Sequence, residues 1–369
     1  MKLLIQPSDG ISPLLSGIKS AKKSVEIMIF RLDHKEIETA LKEAVKRGVS
    51  VNALIASTSR AGERSLRELE LRLLAGGVTV ARTADDLLRY HDKFMIIDHR
   101  VLYVLAFNFT HIDIGRSRSF GLVTRNRSFV QEAMRLFEAD ATRQPYTSES
   151  DTFLVSPANA RKGLANFIKG ARKQLLIYDN RVSDRQMIRL LQNRAQAGVE
   201  IKVIGQIAKQ GAELMVQKLR GMRLHARVII RDGHQAFVGS QSMRKVELDG
   251  RREVGIIVRD PQVVESLMTT FDADWKLADL IKDQAVILKE DVVSATKAAK
   301  KAIKAVASDL PALVPLVKEA VVEAVAETTK GSPKGKEVEE LVKEAVKDAV
   351  KEVVKEAVEE AVQPIRNVA

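Results

Sequence analysis

The chain contains an internal duplication. Residues 7–49 align with residues 157–199 without a gap at an offset of 150, which pairs the segment "IKSAKKS" with "IKGARKQ". Farther along, the offset falls to 134, where "LFEAD" at 136–140 matches "TFDAD" at 270–274. A shorter connection in the second half explains this change. Two copies of one pattern predict two similar folded units, which we expect to pack as a pseudo-twofold pair.

Each copy has the same order of helices and strands. An amphipathic helix is followed by a strand ("VEIMIF" or "LLIYD"), a helix that ends at Gly48 or Gly198, and a second strand ("VSVNALI" or "VEIKVIG"). Helices that alternate with short apolar strands are typical of α/β proteins. The sequence therefore predicts two duplicated α/β lobes.

The composition changes after Trp275. No aromatic residue follows, and Ala, Val, Lys and Glu dominate, which predicts successive helices. Valines recur there every four residues and overshoot the helical period of about 3.6, so a long coiled coil is not favoured. Self-association, a partner helix and weak lipid contact remain open, and we favour one of the first two. The predicted lobes, helical extension, linker and amphipathic helix are residues 1–145, 146–278, 279–330, 331–336 and 337–369.

A short pattern of polar residues recurs at equivalent positions of the two copies. In "HDKFMIIDHR" at 91–100, a His, a Lys and an Asp occupy offsets 0, 2 and 7. The 134-residue offset places a His, an Arg and an Asp at the same spacing in the second copy. Recurrence at the repeat-equivalent position is not expected by chance, so we interpret both copies as functional. The paired residues are His91 with His225, Lys93 with Arg227, and Asp98 with Asp232.

The segments that carry this pattern read as strands. Side chains two residues apart on a strand share a face, so each copy presents an imidazole beside a cation. A hairpin is predicted at "RDG", 231–233, and its returning strand places Ser240 beside the strand that carries the motif. The corresponding strand of the first copy places Asn108 in the same way. If the lobes face each other, one site forms with two histidines, two cations and neutral donors.

Such a site suits a phosphodiester. Cations and neutral donors stabilise the anionic oxygens, one neutral imidazole attacks phosphorus, and a second, protonated imidazole supplies the proton of the leaving oxygen. No metal and no cofactor are required. The net charge of +12 agrees with an anionic partner, since residues 1–280 hold 45 Lys and Arg against 32 Asp and Glu. A role of this charge in solubility alone is the alternative.

Several classes of protein are disfavoured. The absence of cysteine excludes disulfides, thiolate zinc sites and a cysteine nucleophile. The apolar run in "MKLLIQPSDG" is too short for a secretory signal, and no later run reaches the length needed to span a bilayer. We expect a soluble, cytoplasmic protein, with peripheral contact at the inner face of the membrane left open.

Over residues 1–278 the chain resembles the phospholipase D superfamily, and most closely its bacterial cardiolipin-synthase-like branch. The hallmark of that superfamily is two copies of H-x-K-x4-D, each followed by G-S-x-N and later by an acidic residue. The resemblance implies two α/β/α lobes with the active site between them. It implies His91 as nucleophile and His225 as general acid, with Asp98 and Asp232 structural. The residues implied to bind phosphate oxygens are Lys93, Arg227, Asn108, Ser240 and Ser242.

The chain departs from this pattern in both copies. The first reads "LAFN" and the second "GSQS" where G-S-x-N is expected, so that Ser242 stands in place of Asn. The residue 28 positions after each His is Ser119 in the first copy and Glu253 in the second. We therefore predict that Glu253 orients His225, and that His91 has only the Ser119 hydroxyl.

Other polar residues receive simpler interpretations. Four arginines flank the two motifs and are available to steer an anionic substrate, although solvated loop charges are the commoner case: Arg116, Arg118, Arg251 and Arg252. Asn159 is predicted to cap the helix that follows it. Surface or turn positions are predicted for the remaining histidines, which are His34, His99, His111 and His234.

The sequence thus predicts a metal-independent phosphodiester hydrolase or phosphatidyltransferase. The expected substrate is an anionic phosphodiester, with phospholipid favoured over nucleic acid. A nuclease of the same superfamily and a non-catalytic phosphate-binding scaffold are the alternatives. The scaffold is supported by the altered G-S-x-N segments and by Ser119.

Overall fold

The computed structural model describes residues 1–57, 63–208 and 214–278. Residues Met1–Ala278 form one compact unit. The predicted helical extension, linker and amphipathic helix, and the self-association expected from them, lie outside the described residues. Within the described residues, no helix combines the length and the apolarity that crossing a membrane requires.

The first half supplies eight strands and five helices within the described residues. Its strands are β1 (Lys2–Gln6), β2 (Ser24–Ile29), β3 (Ser50–Ile55), β4 (Thr79–Arg82), β5 (Arg89–Tyr90), β6 (Phe94–Ile97), β7 (Val101–Leu105) and β8 (Ser117–Thr124). Its helices are α1 (Ser12–Ser20), α2 (Lys35–Lys46), α3 (Glu63–Ala75), α4 (His111–Gly115) and α5 (Arg127–Thr142).

The second half repeats this order but has no equivalent of α3 among the described residues. Its strands are β9 (Phe153–Ser156), β10 (Gln174–Val182), β11 (Glu200–Ile207), β12 (Met215–Gln217), β13 (Arg223–Leu224), β14 (Arg227–Arg231), β15 (Gln235–Gly239) and β16 (Arg251–Val258). Its helices are α6 (Ala160–Lys169), α7 (Arg185–Gln196), α8 (Lys245–Asp249) and α9 (261–278).

Two mixed sheets of eight strands each form the framework. The first has the order β1-β8-β7-β6-β2-β3-β4, with β13 also paired to β8. The second runs β12-β11-β10-β14-β15-β16-β5, with β9 also paired to β16. Strands β2, β3 and β4 pair in parallel, as do β10, β11 and β12. The other neighbours within each lobe are antiparallel. The prediction of two duplicated α/β lobes is confirmed.

Helices cover both faces of each sheet. Apolar residues of α1, α2 and α3 pack on the outer face of the first sheet, and those of α6 and α7 pack on the outer face of the second. The inner faces share one core with α5 and α9. All six residues of β2 are buried because alternate side chains enter different cores. This is the three-layer lobe that the resemblance implies.

The change in alignment offset has a structural origin. In the first half 23 residues, 56–78, connect β3 to β4 and include α3. In the second half only seven residues, 208–214, connect β11 to β12. The difference of 16 residues equals the drop in offset from 150 to 134. The shorter connection expected from the sequence is therefore this one.

The two lobes exchange short strands. Strand β5, from the first half, pairs in parallel with β16 of the second, and β13, from the second half, pairs in parallel with β8 of the first. These strands directly precede the two motif histidines. As a result the backbone N–H of His91 donates to the Arg252 carbonyl at 2.8 Å, and that of His225 donates to the Arg118 carbonyl at 3.0 Å. Each histidine is thus held by the opposite lobe.

Reciprocal ion pairs accompany the strand exchange. Arg252 makes two hydrogen bonds to the Asp140 carboxylate, at 2.9 and 3.1 Å, and Arg118 makes two to Asp274, at 2.8 and 2.9 Å. The two pairs are related by the 134-residue offset, and each joins one half to the other. The sequence suggested substrate steering or solvated loops for these arginines. This was wrong, because both guanidinium groups are largely buried in ion pairs.

The motif aspartates hold the hairpins in place. Asp98 and Asp232 adopt positive φ angles of 53° and 54°, a conformation that Asp tolerates better than most residues. The carboxylate of Asp98 accepts hydrogen bonds from the backbone of residues 22–24, and that of Asp232 from residues 172–174. Each carboxylate ties its turn to the segment that opens β2 or β10.

Two local predictions need correction. The predicted strands included both motif histidines, but the structure begins β6 at Phe94 and β14 at Arg227. Asn159 occupies the N-cap position of α6 without a capping side-chain bond. Its side chain instead accepts from the Val155 N–H at 2.7 Å and donates to the loop before β9. The hydrogen-bonding groups of the Asn159 side chain are used by β9 and the loop before it, and not by the N-terminus of α6.

Candidate active site

His91 and Lys93 meet where the first lobe contacts the second. Their side chains are almost fully buried. The Lys93 Nζ atom lies 2.9 Å from His91 Nδ1 and donates to the His91 carbonyl. The predicted proximity of imidazole and cation is therefore present, although the segment is not a strand.

Glu253 contacts His91 and not His225. The carboxylate oxygens of Glu253 lie 2.9 and 3.0 Å from Nδ1 of His91. Ser119, at the equivalent position of the first lobe, donates from Oγ to the backbone carbonyl of His225 at 2.9 Å. The pairing predicted from the sequence was the reverse, and it was wrong. The strand exchange is the reason, because it places each histidine against the final strand of the opposite sheet.

His225 has a different acidic neighbour. Its Nδ1 atom is buried without a hydrogen-bond partner among the described residues, and lies 3.6 Å from Asp113 Oδ2. Asp113 belongs to the short helix α4 and was missed in the sequence. Its repeat equivalent is Glu247 in α8, and both acids lie five residues after the last position of the G-S-x-N segment. That recurrence is the signal that could have identified them.

The acids of α4 and α8 fix the loops that follow β7 and β15. Asp113 accepts from the backbone N–H of Asn108 at 3.0 Å and from its side-chain amide at 2.6 Å. Glu247 accepts from the backbone N–H of Ser242 at 2.9 Å, while the Ser242 hydroxyl donates to Asp179. These polar side chains are therefore engaged inside the protein.

The three predicted neutral phosphate ligands are all buried. The Ser240 hydroxyl donates to the Val254 backbone carbonyl at 3.3 Å. The side-chain oxygen Oδ1 of Asn108 has no hydrogen-bond partner among the described residues. Phosphate binding by Asn108, Ser240 and Ser242 stays a prediction. Arg227 contributes a further donor, because its Nε atom is buried and has no partner in the described part of the chain.

Burial and the two cations keep both imidazoles neutral. Burial, then Lys93 and Arg227, hold the pKa of His91 well below its ordinary value. Burial and Arg227 do the same for the pKa of His225, with Lys93 adding a smaller effect and Asp113 opposing it. Each cation therefore acts on both rings, which places the four groups in one electrostatic cluster.

The pKa values of Lys93 and Glu253, which contact His91, are also shifted. Burial lowers the pKa of Lys93 to about 7 and raises the pKa of Glu253 to about 7. The contact with Glu253 favours the tautomer with its proton on Nδ1, which leaves the lone pair on Nε2. No hydrogen bond engages Nε2 among the described residues. A neutral imidazole oriented in this way is able to attack an electrophilic phosphorus.

Comparison with known proteins gives the family. A family model described as "Cardiolipin synthase, PLD-like domain" matches residues 14–141 and 164–275. The curated relatives include a polyphosphate kinase of Mycolicibacterium gilvum, 26% identical over 263 residues that cover 64% of this chain and 36% of the relative. They also include a mitochondrial cardiolipin hydrolase of Danio rerio, 28% identical over 132 residues, which cover 35% of this chain and 57% of the relative.

Solved structures share the fold. The polyphosphate kinase from Porphyromonas gingivalis superposes with a TM-score of 0.63 at 21% identity, over 74% of this chain and 47% of that one. The phosphatidylserine synthase of Haemophilus influenzae gives a TM-score of 0.57 at 10% identity, over 75% of this chain and 86% of that one.

The matched segments define what the chain is. They contain both histidine motifs, Glu253 and the ion-paired Asp140 and Asp274. The chain spans about one third to three fifths of the length of the curated relatives that it matches. The chain belongs to the phospholipase D-like family of cardiolipin-synthase type, within a superfamily of phosphodiesterases and phosphotransferases.

Proposed function

We propose that this protein hydrolyses or transfers phosphodiesters of phospholipids through a phosphohistidine formed on His91, without a metal ion. The observation that carries the proposal is the contact between Glu253 and Nδ1 of His91 across the lobes. A carboxylate on the far nitrogen fixes the tautomer of an imidazole and raises the basicity of the nitrogen that reacts. His225 has no such contact, so the attacking role falls to His91.

The reaction divides into two displacements. Nε2 of His91 attacks phosphorus, an N–P bond forms, the bond to the leaving oxygen breaks, and protonated His225 gives that oxygen its proton. Water or an acceptor alcohol then gives its proton to His225 and attacks phosphorus, which breaks the N–P bond and frees His91. Lys93 and Arg227 stabilise the charge that develops on the non-bridging oxygens.

The neutral state of both histidines in the free protein agrees with these two steps if the substrate binds before His225 is protonated. Burial and cations disfavour the imidazolium form of His225 in the free protein. A bound phosphodiester brings a negative charge beside the ring, and an opposite charge at short range raises the pKa of an imidazole. The substrate thereby supports the protonation that its own cleavage needs.

Phospholipid is the substrate class that the relatives favour. The description of the family model includes cardiolipin synthase, and a curated relative is named a mitochondrial cardiolipin hydrolase. Such a substrate requires peripheral contact with a membrane surface, and the basic excess of residues 1–280 favours anionic lipid. The same excess favours a nuclease as the second candidate, because nucleic-acid binding is dominated by phosphate charge.

Vesicle assays distinguish these functions. Purified protein is incubated in EDTA with vesicles of phosphatidylglycerol and cardiolipin, and released headgroup and transferred lipid are measured by mass spectrometry. We expect lipid products that depend on His91. Metal-free cleavage of plasmid DNA without lipid products would instead establish the nuclease. Inertness toward lipid, DNA and inorganic polyphosphate, with vanadate binding retained, would overturn the catalytic proposal and support a scaffold.

A substitution at Ser119 tests how His225 is tuned. Ser119→Glu places a carboxylate where the second lobe has Glu253, and we expect a negative charge there to raise the pKa of His225. A higher pKa keeps His225 protonated to a higher pH. The alkaline limb of kcat/KM against pH should therefore move upward by about one pH unit or more. Ser119→Gln is the matched neutral control, and equal profiles for the two variants would contradict the assignment of His225 as general acid.

A further inference from the structure

A second cluster of metal-ligand side chains involves neither motif histidine. Asp33 and His34 lie in the loop between β2 and α2, and His111 is the first residue of α4. One potential ligand atom of each residue lies within 4.8 Å of the other two. The backbone brings them together: the N–H groups of Asp33 and His34 donate to the Phe109 carbonyl at 3.1 and 3.4 Å, and the His111 N–H donates to Asp33 Oδ1 at 2.8 Å.

The His34 imidazole is buried with one nitrogen unused. Its side chain is 8% exposed, and Nδ1 lies 3.2 Å from Glu36 Oε2. Its Nε2 atom is buried and has no hydrogen-bond partner among the described residues. With Nδ1–H donating to Glu36, Nε2 presents a lone pair. Histidines that bind metals commonly use this arrangement, in which a carboxylate holds the far nitrogen and fixes the tautomer.

The second lobe has residues other than histidine at the positions equivalent to His34 and His111. The equivalents of Asp33, His34 and His111 are Ser183, Asp184 and Lys245. Asp184 caps α7 by accepting from the Met187 N–H at 3.0 Å, whereas His34 occupies the N-cap of α2 without a side-chain cap bond. The first lobe thus lacks a favourable helix cap and has instead a buried imidazole. The helix alone does not explain a histidine at this position.

The two imidazole rings are stacked at an angle, so the His111 ring must turn before its in-plane lone pair points to an ion bound by His34. The ring centroids of His34 and His111 are 3.7 Å apart, with an angle of 38° between the ring planes. Metal–ligand bonds of about 2 Å in a tetrahedral site require donor separations of roughly 3.3 Å. Asp33 and His111 are exposed, so rotation of their side chains can close the 4.8 Å spacing around the fixed His34.

We propose that Asp33, His34 and His111 bind one divalent transition-metal ion of the zinc class. Two imidazole nitrogens and one carboxylate oxygen form a donor set that zinc accepts, and a water completes four-coordination. The ion joins the β2–α2 loop to α4, which also carries Asp113, the acidic neighbour of His225. Its role is to hold this corner of the first lobe, outside the catalytic chemistry.

Zinc titration of the full chain tests the proposal. Protein treated with EDTA and dialysed is titrated with Zn²⁺ by calorimetry, and with Co²⁺ by absorption spectroscopy. We expect one ion per chain, d–d bands of a four-coordinate Co²⁺ site, and a higher Tm with Zn²⁺, because an ion that binds only the folded state stabilises it.

The second lobe provides one of the variants. His111→Lys installs the residue found at the equivalent position. His34→Ser removes the imidazole without adding a carboxylate, and its hydroxyl can still cap the helix. Loss of outer contacts to a metal ligand costs about 10–100-fold in affinity, so loss of a ligand should weaken Zn²⁺ binding by more than about 100-fold. His234→Ala, which changes an exposed histidine of the second lobe, should bind like the unmodified protein. Unchanged Zn²⁺ affinity in His34→Ser and His111→Lys, or no binding by the unmodified chain, would overturn the site. Since Zn²⁺ binding needs no phosphodiester substrate, either result is independent of the proposed activity.

Discussion

Substitution of His91 by Ala is expected to lower phosphodiester turnover by at least about 10⁴-fold, since it removes the proposed nucleophile, whose Nδ1 atom contacts Glu253. The measurement is kcat/KM on the preferred substrate of the vesicle assay. His234→Ala is the control, because its ring is exposed and hydrogen-bonds to a backbone carbonyl of its own turn, and it should retain full activity.

His225→Ala separates attack from proton donation. A p-nitrophenyl phosphodiester has a leaving group that needs no proton, so this variant should still form the phosphohistidine in a rapid first turnover, while His91→Ala should not. Samples are quenched with detergent at alkaline pH, because N–P bonds hydrolyse in acid. Digestion at alkaline pH and mass spectrometry then locate the phosphorylated residue. Phosphate found on His225 in the unmodified protein would contradict the assignment of His91.

Substitution of Arg252 by Met is expected to lower the free energy of unfolding of the described unit by about 3–5 kcal/mol, because it leaves the Asp140 carboxylate buried without its ion-pair partner. Arg118→Met should cost less, since Asp274 keeps a hydrogen bond of 2.6 Å from the Tyr178 hydroxyl. Chemical denaturation measures both values. Arg64→Met, which removes an exposed ion pair, serves as the control and should change stability little.

The double variant Arg252→Met with Asp140→Leu tests the cause. Removing both charges should restore most of the loss, since no unpaired charge then remains.

The loss of stability in Arg252→Met should also depend on pH. Burial raises the pKa of Asp140 to about 6 even with Arg252 present. A carboxyl whose pKa is raised on folding stabilises the protein at low pH and less as the pH rises through that value. The destabilisation should therefore be larger at pH 8 than at pH 5, and a pH-independent loss would count against this explanation.

Much of the fold was predictable from the sequence because the signals were long and repeated. The two offsets, 150 and 134, located both lobes and placed His91 opposite His225 as equivalent residues. The parallel strands β2, β3, β10 and β11 were found from apolar runs between helices. The difference between the offsets predicted a shorter connection in the second half, and the structure places it between β11 and β12.

The exchange of strands between the lobes was not predictable in the same way. β5 and β13 contain two residues each, too few for any periodic signal, and they pair with strands far away in sequence. The assumption that each motif is completed within its own copy led to the wrong partner for Glu253. Asp113 was missed because an acid in the first turn of a short helix is common for reasons unrelated to catalysis.

The crossing of strands also explains why the two halves of the site can differ. In a homodimer of single lobes with the same exchange, every substitution would occur on both sides of the symmetry axis, so both imidazoles would receive the same neighbour. Fusion into one polypeptide removes that constraint. Glutamate on one side and serine on the other, or lysine against arginine, then become independent choices. A covalent link between the halves is what permits one ring to specialise as attacker and the other as proton carrier.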